Sequence, residues 1–172
     1  MNNRYIHTMA IQNLKEIFGQ ALVYRKRNLF YVYKGKEHPL AVKVIDVSTT
    51  GRNFNQMETL NMAIHILGMG SADGIFEWYI LPVTEVARIS VNKPPQHGGT
   101  KAEDFIATID DIDSKFNVKQ KEILNTVNRI INSQASDSNY KILDARMQIE
   151  RMKKESDRMN YDLFLTEFVK QL

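Results

Sequence analysis

The 172-residue chain contains no cysteine. That absence excludes disulfide frameworks, thiolate zinc centres and cysteine nucleophiles, and it fits a reducing compartment. No run of about 18 apolar residues and no secretory apolar segment occurs, so the expectation is a soluble, cytoplasmic protein with no membrane partner. The four histidines have no HxxxH-type spacing, which leaves no zinc signature. Prolines number four, and two of them, Pro94 and Pro95, sit in one stretch with Gly98 and Gly99. Residues 92–100 therefore read as a loop.

What is present is ordinary for one compact domain with an appendage: 43% hydrophobic residues, 25% charged, net charge +3. The charge is uneven. Residues 1–47 hold eight cations (Arg4, Lys15, Arg25, Lys26, Arg27, Lys34, Lys36 and Lys43) against Glu16, Glu37 and Asp46. The remainder is slightly acidic.

The apolar period changes along the chain. Ile6, Met9, Ala10, Leu14, Ile17 and Phe18 share one helical face, and Gly19 suits the residue after a helix end. Runs at 21–24, 29–33 and 40–47 are β-branched and aromatic, separated by polar turns, and predict three antiparallel strands. Asn53 reads as the cap of a helix in which Phe54, Met57, Leu60, Ala63, Ile64 and Leu67 repeat until Gly68 and Gly70 stop it. A strand is expected at 75–81, ended by Pro82 and anchored in the core by Trp78. Residues 84–91 suit a strand or a short helix, 105–112 a strand, and 118–131 a helix. Asp110, Asp111 and Asp113 lack EF-hand spacing and read as turn residues.

From Tyr140 to Leu172 a long helix is expected, with Ile142, Ala145, Ile149, Met152, Ser156, Met159 and Leu163 in alternating three-four spacing. The expected fold class is α+β with an α/β-like core: a central mixed β-sheet flanked by helices, then a C-terminal helical hairpin or long helix. The expected division is a core over 1–114 and a helical hairpin or dimerisation arm over 115–172, with a homodimer formed through 140–172.

The most suggestive segment is Leu40-Ala41-Val42-Lys43-Val44-Ile45-Asp46-Val47-Ser48, a strand-like run with a lysine in its middle, followed by Gly51-Arg52-Asn53-Phe54-Asn55-Gln56. The order helix, strands, lysine-bearing strand, helix and Trp-Tyr strand over residues 22–91 resembles the core of the restriction-endonuclease-like, or PD-(D/E)xK, superfamily. In that family a hairpin carries an acid, and the next strand carries Glu or Gln, one residue, then Lys. Lys43 matches the lysine. Phe54-Asn55-Gln56 resembles the family's strand-to-helix crossing, and Arg88-Ile89-Ser90-Val91 a later strand. Ala41 stands where the family has Glu or Gln, and 29–33 holds no aspartate.

The resemblance implies a DNA-binding protein acting on double-stranded DNA. It would be either a metal-dependent nuclease hydrolysing phosphodiester bonds with Mg2+ or a relative that binds without cutting. Magnesium takes oxygen ligands, so carboxylates must stand near the lysine. Lys43 is then the candidate for phosphate or water activation, and Glu58 for catalysis and metal binding. Asp46 is a further metal candidate, although its strand parity is opposite to that of Lys43, and Glu37 stands at the preceding turn. Arg25, Lys26, Arg27, Lys34, Lys36 and Arg52 are candidate backbone contacts, the first five lying at the two ends of one hairpin. Tyr24, Phe30, Tyr31 and Tyr33 lie between them, placed either to stack on bases or to fill a core. The alternative is a non-catalytic interaction module, an α+β head on a dimerising arm.

Overall fold

The computed structural model describes residues 3–48 and 52–171. Gly51, at the head of the polar stretch, and Leu172, at the end of the expected long helix, lie outside the described residues. Helix α1 (Asn3–Phe18) forms where expected. Ile6, Ala10, Leu14 and Phe18 are buried at helical spacing, and Gly19 leaves the helix at φ 60°. Three antiparallel strands follow: β1 (Leu22–Arg25), β2 (Asn28–Tyr33) and β3 (Lys36–Asp46). Both connecting turns carry two consecutive positive φ values, at Lys26 and Arg27 and at Lys34 and Gly35. That is the twist a two-residue hairpin requires.

The expected helix from Asn53 to Leu67 does not form. Asn53–Met57 is a strand, β4, and Ile64–Gly70 is a second, β5, with Gly68 and Gly70 inside it. Every residue of β5 is buried, because the strand runs through the centre of the sheet with packed layers on both faces. A doubly buried strand shows no two-residue alternation, and its apolar residues then mimic helical spacing by accident. The crossing resemblance at Phe54-Asn55-Gln56 is corrected accordingly: it is strand, not the start of a helix. Strand β5 pairs in parallel with β3, setting Lys43 beside Leu67, and antiparallel with β6 (Phe76–Leu81). An added Cβ at Gly68 would approach the Trp78 ring to 2.9 Å, so the glycine makes room for the indole.

Residues 83–90 resolve as a helix, α2 (Val83–Ser90). The strand at 105 is shorter than expected, β7 (Phe105–Thr108), because the Asp111 carboxylate accepts from the Thr108 amide at 2.7 Å and turns the chain. Strand β8 (Asn117–Val118) pairs with β6, so helix α3 (Ile123–Gln134) begins later than the periodicity suggested. Asp137 caps α4 (Ser138–Lys170) by accepting from the Asn139 and Tyr140 amides.

The result is an α+β fold. A six-stranded mixed sheet, ordered β1-β2-β3-β5-β6-β8, has α1 and α3 packed on one face. The other face carries the β4–β7 ribbon and α2. Trp78 is fully buried in the first layer and donates its indole N–H to Gln120. A smaller cluster of Met62, Val83, Leu143 and Met147 fixes the start of α4 to the body. Among the described residues no helix is long and apolar enough to cross a membrane.

Candidate functional site

Lys43 lies halfway along β3, between Val42 and Val44, which pack against the core beneath α1 and α3. Parity sends its side chain to the other face. Glu58 reaches that face from the turn after β4. Buried Met57 anchors the turn, and the Thr59 and Leu60 amides both donate to the Ala102 carbonyl, at 3.0 and 2.8 Å. The two side chains therefore converge although no regular element carries Glu58.

Their electrostatics are coupled. Burial pushes the Lys43 ammonium below its ordinary range, and neighbouring Glu58 pulls it back up. Burial pushes Glu58 up, opposed by the Asn61 amide, by Lys43 and by Arg151. Glu58 accepts from the Asn61 N–H at 3.0 Å. His7 on α1 is lowered by burial and by Lys43.

Lys43 and Glu58 line a cleft of about 770 Å³ walled by α1, the first hairpin, the 58–63 turn and α4. Arg27 and Tyr24 come from the hairpin, and Tyr140, Asp144 and Arg151 from α4. Arg151 donates to the Leu60 carbonyl and stands 3.9 Å from Asp144. Asp104 also lines the cleft, and its Oδ1 is buried with no hydrogen-bond partner among the described residues. The charge is mixed, so the cleft is not a simple anion trap.

The other expected residues divide. Asp46 is buried, and its Oδ1 accepts from the Ser48 amide at 2.9 Å and hydroxyl at 2.6 Å, which holds its carboxyl below the usual range. The β3–β5 register is unbroken from Leu40 to Asp46, so no bulge turns Asp46 onto the face of Lys43. A smaller cavity of about 520 Å³ along β3 touches both residues. Arg25 forms an ion pair with Glu37. Lys26 is exposed in the first turn beside Arg27. Lys34 and Lys36 stand at the far end of β2, where Lys34 donates to Asn132 and sits 5.3 Å over the Tyr33 ring. Arg52 is exposed at the entry to β4. Only Arg27 of the six basic candidates shares the cleft with Lys43 and Glu58.

Of the hairpin aromatics, Tyr31 is buried with its hydroxyl on Asn128 at 2.7 Å, and Tyr33 stacks on it. Tyr24 remains exposed within the cleft. Arg151, His7 and Asp104 escaped the sequence reading. Arg151 lies on a helix face whose charge pattern resembles any solvated surface, and nothing local signals that it meets the 58–63 turn.

No family model matches the chain, and no curated protein or solved structure matches it. The site therefore rests on its own geometry.

The family resemblance implies a magnesium ion. Among the described residues no three His, Asp or Glu side chains form a group able to hold a metal ion. Magnesium often takes only one or two carboxylates and completes its shell with water and substrate phosphate. Glu58 is the carboxylate that acts electrostatically on Lys43.

Proposed function

We propose that the protein binds the phosphodiester backbone of double-stranded DNA, with the backbone entering the cleft at Arg27 and Arg151 and passing Lys43 and Glu58. The observation that carries this reading is the convergence of a half-buried lysine and a half-buried glutamate in a cleft with arginines from two separate elements. A partly desolvated ammonium is attracted to a phosphate oxygen more strongly than one in open water.

The same pair supports hydrolysis as the catalytic form of this reading. Water attacks phosphorus while Glu58 accepts its proton, and Lys43 neutralises the charge growing on a non-bridging oxygen. The P–O bond to the leaving oxygen breaks, and that oxygen takes a proton from solvent. Magnesium, when bound, would supply further charge neutralisation at the phosphate. A second reading, an interaction module without catalysis, is favoured by the exposure of every residue from Met152 to Gln171 on α4.

The test is fluorescence anisotropy of a labelled duplex titrated with protein at low and moderate salt, in calcium so that a nuclease would bind without cutting. Three cationic contacts give a log–log salt slope of about −3, and Lys43→Ala reduces it by about one unit. Replacing calcium by magnesium or manganese then reads cleavage, which Glu58→Gln abolishes while duplex binding persists. No binding at micromolar protein in low salt removes the nucleic-acid reading. Binding unchanged in Lys43→Ala removes this cleft from it.

A further inference from the structure

Helix α4 runs for 33 residues, about 50 Å, and only its first half meets the body. Leu143 and Met147 are buried against Met62 and Val83, and Lys154 closes the docked part by pairing with Glu103 at 2.8 Å. From Met152 to Gln171 every residue is exposed.

The face that docks returns beyond the body. Five turns further along the helix, Tyr161 takes the angular place of Leu143 and Leu165 that of Met147. Tyr161, Phe164, Leu165, Phe168 and Val169 follow the i, i+3, i+4, i+7, i+8 spacing of one continuous stripe. Their exposures are 61, 64, 39, 51 and 65%. Phe164 and Phe168 already stack, with ring centroids 6.4 Å apart. This stripe is distinct from the one the periodicity pointed to, Ile142 to Leu163, which occupies the opposite side of the helix.

We propose that Tyr161, Phe164, Leu165, Phe168 and Val169 form a helix-pairing face covered by the same face of a second copy of this chain. The area fits. Five large apolar side chains, each about half exposed, leave about 500 Å² per chain to cover. Two copies then bury about 1,000 Å² in total, the least that a specific interface must clear and the size of a weak, reversible one. A two-fold pairing needs one self-complementary patch, and stacked aromatics at its centre provide one. The arm extends past its last ion pair with the body, so a second arm can lie along it unobstructed. A lipid surface fits poorly: the charged residues around the stripe are Arg158 and Lys170 against Asp157, Asp162 and Glu167, whereas interfacial helices carry a cationic polar face.

This inference is independent of the nucleic-acid reading. Its test is sedimentation equilibrium of the full chain from about 1 to 200 μM. A dimer mass is expected. Phe164→Glu combined with Phe168→Glu raises the dissociation constant at least about tenfold, with the circular-dichroism spectrum and melting temperature of the body retained. Met152→Glu, on the opposite side, leaves the dimer intact. A wild-type monomer throughout the range overturns the proposal. So does dissociation by Met152→Glu with the Phe164/Phe168 variant unaffected, or a monomer that floats with anionic phosphatidylserine vesicles.

Discussion

Lys43 and His65 occupy neighbouring strands and show two consequences of placing a titratable side chain in this sheet. Glu58 keeps the Lys43 ammonium from falling as far as burial would take it. Glu58→Gln removes that support, so the loss of duplex binding at alkaline pH moves to lower pH, a shift read from anisotropy titrations across a pH series. His65 is fully buried. Its Nδ1–H donates to the Ala63 carbonyl at 3.1 Å, Nε2 has no hydrogen-bond partner among the described residues, and burial lowers its pKa from 6.5 to about 4. The unfolded chain protonates this residue near pH 6.5 and the native state only near 4, so the neutral imidazole's contribution is complete above 6.5 and lost as pH falls toward 4. Lowering pH from about 7 to about 5 costs about 2 kcal/mol through this one group. Urea denaturation of His65→Gln at the two pH values should show a correspondingly flatter dependence; an unchanged dependence assigns the effect elsewhere. Lys43 was legible because a lysine inside an apolar run is conspicuous. His65 was not, because its solvent exclusion comes from layers contributed by remote parts of the chain.

Among the elements, β5 is where local pattern and tertiary structure conflict most. Its spacing suits a helix, yet the strand is fixed by β3 on one side and β6 on the other. Gly68→Ala tests that packing: the added methyl group collides with Trp78 and should cost about 1 to 3 kcal/mol in chemical denaturation. A helix at this position would instead gain stability from the same substitution. Helix α4 tests the reverse case, an element whose existence was plain and whose docking was not. Leu143→Ala should cost about 2 to 4 kcal/mol, whereas Met159→Ala, exposed on the arm, should stay within about 0.5 kcal/mol. The first hairpin was readable from its turns, since polar residues between β-branched runs leave few other arrangements.

For the molecule as a whole, the body is expected to be stable without the distal arm. Among the described residues, a chain ending after Lys154 removes only exposed ones, so its thermal transition should remain within a few degrees of the full-length value, as calorimetry would show. A large loss would mean that pairing of the arm also supports the fold of the body. The α+β class, α1, the three-strand meander, the Trp78 strand and the long terminal helix were determined by the sequence alone, because turn chemistry and apolar periodicity act over a few neighbouring residues. Tertiary structure alone decided that β5 is a strand, that Glu58 meets Lys43 from a turn, and that Arg151 closes the cleft. It also decided which side of α4 the body covers. Each of these depends on burial and approach between segments distant along the chain, which no local pattern encodes.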